Sequence, residues 1–378
     1  MMRDFRAFLI LSVALLCLGA CGRGKTSVEE TVRTADTIRY ARNIRIEYFD
    51  EYVSVRIRDP WDTLRQRQHY VLVDREKPAP RNLPSDGTVI KVPVEKAVIY
   101  TSVHTAIAEQ LGALDRVCGV CEPQYITSPE VLIRIEEGRI ADLGMSTSPN
   151  VEKIVDIGTE MIIASPFENS GYGSAEKIGV PIVEAADYME NHPLGRTEWV
   201  LFYGLLLGHR EEAEAVFKET ERHYMELKEL ASGAATHPTV LLERKYGGSW
   251  AVPAGESYIA VMHADAGADY MFRDYPGAKS VHLTFESVYD KAADADFWFM
   301  KYDTREPLTY DRLKEEYRPY ANFRPWKEKR IFCCNTITST YYDDITLHPD
   351  LVLEDLIAVY HPELLPGHSQ RYYFPMNE

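Results

Sequence analysis

From Val89 to the C-terminus the sequence alternates short apolar runs with helical stretches, and the alternation breaks once, between Arg196 and Leu230, where no strand occurs. Alternation of this kind requires a largely parallel sheet, because parallel strands need helical crossovers that cover the sheet faces. A single strandless break divides the rhythm into two halves. The expected architecture is α/β: two Rossmann-like lobes joined by a long spine helix, with a ligand cleft between them.

The first half reads as strands at Ala97–Tyr100, Val117–Val120, Met161–Ser165 and Pro181–Glu184, with helices at Thr105–Leu111, Pro129–Glu136 and Val151–Ile157. The second reads as strands at Thr239–Leu242, Asp296–Met300 and Arg330–Cys334, with helices at Tyr258–Ala266, Glu286–Ala292, Tyr310–Tyr317 and Leu351–Tyr360. Between them, Ala213, Val216, Phe217, Tyr224, Leu227 and Leu230 form a thin apolar stripe among charges, the pattern of a helix that bridges two bodies. Upstream, Ile44–Tyr48, Val53–Ile57 and Tyr70–Val73 alternate apolar and polar residues, which predicts a half-exposed antiparallel β extension. The length of 378 residues agrees with two bodies, since single cores stop growing at roughly 250–300 residues. The expected boundaries are a signal peptide over 1–20, a flexible tether over 21–37, an N-terminal lobe over 38–195 with its β extension at 38–88, a spine over 196–231 and a C-terminal lobe over 232–378.

Arg3 and Arg6 precede an apolar run from Ala7 to Leu18 that ends in Leu18-Gly19-Ala20-Cys21. A basic start, a short apolar stretch and a small-residue exit read as a secretory signal, too short to span a bilayer. Leu-Gly-Ala-Cys resembles the bacterial lipobox, which implies lipidation of Cys21 and a place in the cell envelope, lipid-anchored and facing the periplasm or exterior. The plainer reading is a simple signal peptide with an incidental cysteine. Loss of residues 1–20 removes Arg3, Arg6 and Asp4 and takes the net charge from −16 to −17. That acidic balance offers no basic face for a nucleic-acid backbone.

Four cysteines remain after Cys17 and Cys21: Cys118, Cys121, Cys333 and Cys334. Cys118-Gly119-Val120-Cys121 has redox or metal spacing, but it falls in a strand-like run where a thiol simply fills an apolar position. No second cysteine pair or spaced histidine pair completes a tetrahedral site. The two halves also echo each other. Asn150 and Thr284 each stand two residues before a glutamate, Glu152 or Glu286, that opens a short helix leading into an apolar strand. Helix-start electrostatics accounts for either glutamate alone, but not for the matched pair.

Several segments resemble, in order, motifs of the class III periplasmic binding proteins, substrate-binding lipoproteins of ABC importers for iron–siderophore complexes, haem and vitamin B12. They are Ala97 to Val120, Asn150 to Val155, Val252 to Tyr258, Asp265 to Ala268 and Leu283 to Glu286. The resemblance covers roughly residues 90–365 and leaves 26–88 without a counterpart. It implies a monomer with no covalent cofactor besides lipid, and a ligand that is a metal complex: ferric siderophore, haem or, alternatively, a corrinoid. It further implies that Glu152 and Glu286 meet arginines of a membrane permease served by separate ATPase subunits.

Independently of any family, ligands of open α/β sheets bind beyond the carboxyl ends of the strands. The loops expected there contribute Ser102, His104, Tyr172, Arg244, Tyr246, Trp250, Lys301, Tyr302, Arg305 and Tyr341, an aromatic and cationic set suited to a bulky anionic ligand. Each aromatic could instead pack on neighbouring loops, and His104 could be a hydrogen-bonding residue rather than a ligand to haem iron or cobalt. Histidines occur singly, which disfavours a bare metal site. A membrane-tethered hydrolase is the competing class. It needs a Gly-x-Ser-x-Gly elbow, which neither Gly171–Ser174 nor Gly247–Ser249 supplies, and no catalytic residue is assigned. A purely structural lipoprotein would not need two lobes with facing strand ends.

Overall fold

The computed structural model describes residues 34–35 and 38–377. Cys21, the expected signal segment and the tether apart from its strand pair lie outside the described residues.

Strands β1 (Thr34–Ala35), β2 (Ile44–Tyr48), β3 (Tyr52–Arg58) and β4 (Gln66–Asp74) pair antiparallel in chain order. Strand β5 (Thr88–Val92) then joins β4 in parallel, so the extension is antiparallel except at this edge. Residues 75–87 carry the chain back across the sheet before it re-enters.

The first lobe follows with β6 (Ala97–Ile99), α1 (Ser102–Gln110), β7 (Val117–Val120), α2 (Pro129–Glu136), β8 (Ala141–Asp142), α3 (Val151–Asp156), β9 (Met161–Ala164) and β10 (Ile182–Glu184). Its parallel sheet runs β10-β9-β6-β7-β8. Central strands β6 and β9 are buried on both faces, as a helix-covered parallel sheet requires. Helix starts are set by side-chain caps: Thr101 for α1, Ser128 for α2 and Asn150 for α3.

Three helices then run without a strand: α4 (Pro193–Glu198), α5 (Val200–Leu207) and α6 (Arg210–Ser232). Gly208 ends α5 with φ +79°, and Pro93 packs where a Cβ would stand, so this break needs glycine. Helix α6 has 23 residues, on the order of 35 Å. Its stripe of Ala213 and Phe217 packs into the first-lobe core, while Tyr224, Leu227 and Ala231 pack into the second.

The second lobe comprises β11 (Thr239–Leu242), β12 (Lys245–Tyr246), β13 (Ser249–Val252), α7 (Tyr258–Asp265), β14 (Asp269–Tyr270), β15 (Val281–Leu283), α8 (Phe285–Ala292), β16 (Phe297–Tyr302), α9 (Tyr310–Glu316), α10 (Arg324–Lys327), β17 (Ile331–Asn335), α11 (Tyr341–Asp344), α12 (Pro349–Tyr360) and β18 (Phe374–Pro375). Its main sheet is β14-β11-β16-β17-β18, parallel except for β18, and β12, β13 and β15 form a small separate sheet.

The β extension is not an appendage. Ile44, Ile46, Val55, Ile57, Tyr70, Leu72 and Ile90 share one core with Phe202, Leu206 and the first-lobe sheet, each large side chain contributing about 1.5–3 kcal/mol through burial. The Tyr70 hydroxyl donates to Ile182 O and accepts from Glu184 N, both at 2.9 Å. Edge strand β10 is thereby covered, which removes a free edge.

Candidate ligand cleft

Contacts between the segments that follow the strands of the two sheets define an interlobe cleft. On one side, Thr127, beyond β7, donates its hydroxyl to Asp343 of α11, and Gln110 meets His348 at 2.7 Å. On the other, Glu168, beyond β9, lies 3.7 Å from Lys279, which precedes β15. Ser102, Glu109, Thr127, Asp343 and Asp344 line a cavity of about 260 Å³ at the first bridge. Burial raises the Asp343 carboxyl above its usual value, and Asp344 and Glu109 add to the rise against the hydrogen bond from Thr127.

A buried polar chain links the lobes. Asp187, three residues past β10, engages His104 Nε2 at 2.9 Å and accepts from the Tyr203 hydroxyl at 3.0 Å. Burial opposes its ionisation, but His104, Arg196 and Tyr203 outweigh that and hold its carboxyl below the usual range. The Arg196 guanidinium stacks 4.4 Å from the ring of Tyr258, the first residue of α7 in the other lobe. Lys301 at the end of β16 pairs with Glu243 at the end of β11. Burial disfavours the Lys301 ammonium, yet Glu243, with Tyr341 and Tyr258 beside it, pushes its pKa well above the usual value.

The residues expected at the site divide. Ser102 lines the cavity, and Lys301 and Arg244 stand at adjoining strand ends. Both cations are paired, Arg244 Nε lying 3.3 Å from Glu316, so the cationic set expected from the loops is neutralised at these two positions. Tyr302 and Arg305 line a different cavity, of about 550 Å³, between the β16 and β17 loops and β18. Tyr246 is 90% exposed at the tip of the β12–β13 hairpin, and Tyr172 is half-buried against Glu176, whose carboxylate takes its N–H.

Three expectations are overturned by burial. His104 lies in the first turn of α1 rather than a loop, with Thr101 on Nδ1 and Asp187 on Nε2, so neither nitrogen is open to a ligand. Trp250 falls on the inward side of β13 and stacks on Trp298 at 5.6 Å. Tyr341, the first residue of α11, is fully buried among Tyr342, Tyr372 and Tyr373. The loop reading failed for all three because each begins, or lies within, a short regular element. Sequence reasoning missed Asp187, Arg196, Glu243 and Tyr258, although Glu243 directly follows β11 and Asp187 lies three residues beyond β10, where the strand-end rule could have found them.

Among the described residues all four cysteines are free, and burial pushes Cys121 up to about 12, the state of an inert core thiol.

Glu152 and Glu286 hold equivalent positions, second in α3 and second in α8, behind the Asn150 and Thr284 caps. Each helix runs against the parallel strand that follows it, which places both N-termini, and both exposed carboxylates, at the cleft end of their lobes. Among the described residues neither carboxylate has an ion-pair partner.

Comparison with known proteins agrees with this geometry. The chain is 27% identical over 367 residues to an uncharacterized lipoprotein of Methanocaldococcus jannaschii, a match covering 90% of this chain and 85% of that one. Its fold is that of a possible iron-binding periplasmic solute-binding protein from Staphylococcus epidermidis, at TM-score 0.58, 15% identity, 71% of this chain and 99% of the other. It is also that of a periplasmic haem-binding protein from Pseudomonas aeruginosa, at TM-score 0.58, 14% identity, 75% of this chain and 98% of the other. Family and fold are those of solute-binding transport proteins rather than enzymes. Residues 98–337 match the model of the periplasmic binding protein family, and the chain belongs to that family.

Proposed function

We propose that this chain is the lipid-anchored substrate-binding protein of an ABC importer, capturing an iron complex, a ferric siderophore or haem, between its lobes and delivering it to a permease with its ATPase subunits. The supporting observation is the pair of interlobe contacts, Thr127–Asp343 and Glu168–Lys279, the first beside a cavity lined from both lobes by Ser102, Glu109, Thr127, Asp343 and Asp344. A space between two bodies suits a ligand that must be held and later released. The iron-binding and haem-binding proteins that share the fold favour a metal complex over a bare ion, and among the described residues no cluster of three or more His, Cys, Asp or Glu could hold a metal. The α6 spine favours a modest lobe movement, since a long packed helix bends less than a loop hinge.

The experiment is purification of residues 22–378 from the native host, followed by an absorption spectrum and native mass. A co-purified ferric complex or haem is the expected result. A corrinoid would keep the class and change the ligand, whereas an empty protein that turns over substrates would remove the reading altogether.

A further inference from the structure

Between residues 38 and 75 the chain carries eight arginines, no lysine and six carboxylates, a positive surplus on a chain of net charge −16. Arg42, Arg45, Arg56, Arg58 and Arg65 line a cavity of about 240 Å³ bounded by β2, β3 and the loop into β4, and its lining holds no carboxylate. Arg45 pairs with Glu47 and Arg56 with Asp86. Among the described residues the guanidinium groups of Arg42, Arg58 and Arg65 have no carboxylate partner, Arg42 engaging Glu190 only through its backbone N–H. The pairing register shifts between Ile57 and Arg58, a local irregularity of the kind that re-aims a side chain.

At the lip of this pocket Leu64 is 97% exposed. Its loop is held firmly: Asp59 accepts the Trp61 N–H at 2.9 Å, the Arg67 guanidinium lies 5.1 Å from the Trp61 ring, and Arg67 grips Glu184 with both Nε and a terminal nitrogen. Glu184 ends β10, so the loop stands at the cleft end of the first lobe, the end that also presents Glu152.

We propose that the arginine-lined pocket and the Leu64 tip form a membrane-surface contact that takes the phosphate groups of anionic lipid headgroups. Arginine forks match phosphate oxygens bidentately, and a basic collar around an apolar tip partitions into a bilayer interface. A soluble anion would give the exposed leucine nothing to bury against, which favours the lipid over free phosphate. The proposal rests on membrane anchoring of the chain and on a docked orientation with the cleft end facing the bilayer.

The test uses the soluble chain of residues 22–378, without its anchor, and vesicles of phosphatidylcholine with or without phosphatidylglycerol. Co-sedimentation with the anionic vesicles alone, weakening as salt rises, is the expected result. Each arginine near the surface is worth about a fivefold change in partition, so Arg58→Gln with Arg65→Gln lowers binding about 25-fold. Leu64→Ser also weakens it. Equal partition onto neutral vesicles, or indifference to the double substitution, overturns the proposal. Calorimetric binding of inorganic phosphate at this pocket without vesicle binding would overturn it in favour of a free anion. None of these outcomes touches the cleft, whose ligand is read separately by the absorption spectrum.

Discussion

The Arg196 guanidinium of α4 lies 4.4 Å from the Tyr258 ring of α7, joining the two lobes, and it also helps keep the buried Asp187 carboxylate ionised. Arg196→Ala removes both effects and leaves Asp187 with His104 and Tyr203. Removing one member of a buried charge set costs about 3 kcal/mol or more, a loss that chemical denaturation would read directly. Arg196→Lys keeps the charge but not the planar stacking, so it should fall between wild type and Ala. Equal stability of all three would refute the linkage.

A second clamp ties the extension to the spine. The Glu198 carboxylate accepts the backbone N–H groups of Arg39, Tyr40 and Ala41 at 2.8, 2.9 and 2.8 Å. Glu198→Ala strands three donors, at about 1 kcal/mol each, and should speed hydrogen exchange over residues 39–41 while leaving the second lobe protected. Burial raises the Glu198 carboxyl above its usual value even though those N–H groups pull it down. The folded state therefore holds this proton more tightly than the unfolded state does. Its contribution to stability is largest at low pH and declines as pH rises from the ordinary carboxylate value through the folded one. Glu198→Gln should remove that decline while keeping an acceptor.

His263 acts in the opposite sense. It is buried in the second lobe with Nδ1 2.7 Å from the Tyr360 hydroxyl and its ring edge-on to Phe299. Burial, with the Lys301 charge adding to it, lowers its pKa to about 3. The unfolded chain takes up a proton near the ordinary histidine value and the folded one does not, so stability falls as pH drops from about 6.5 toward about 3, by about 1.4 kcal/mol per pH unit. His263→Leu should flatten this slope in thermal melts between pH 4 and 6. It should also lower stability at neutral pH by about 1–3 kcal/mol, because Tyr360 loses its partner. An unchanged slope would show that the histidine is protonated in the fold.

Most of the α/β body was legible because buried parallel strands read as unbroken apolar runs: Val117–Val120 and Thr239–Leu242 match β7 and β11 residue for residue. Pro129–Glu136 likewise marks α2, bounded by its Ser128 cap. The site was less legible, since burial of a single side chain is a tertiary property. Trp250 and Tyr246 lie four residues apart in one hairpin, yet one is fully buried and the other 90% exposed. Only the pairing of β13 with β15 decides between them. Charge was misread for a related reason. Lys301 and Arg244 are cations in sequence, and their neutralising partners Glu243 and Glu316 are brought up by the sheet and by α9.

The matched carboxylates give the sharpest functional prediction. Glu152 and Glu286 occupy the same turn of equivalent helices at the cleft end of both lobes, exposed and unpaired among the described residues. Each gains only about 0.3–1 kcal/mol from its helix terminus, so Glu152→Ala and Glu286→Ala should leave unfolding within about 1 kcal/mol of wild type. If the two acids orient docking on a permease, paired charges set both encounter rate and registration, and the double variant should lose uptake while binding ligand with unchanged affinity. Charge reversal at either position should be worse than alanine, because repulsion then replaces attraction. Uptake assays in cells, run beside ligand titration of the purified variants, separate the outcomes. Lost affinity would move these residues into the ligand site, and unimpaired uptake would reduce them to ordinary helix-start carboxylates.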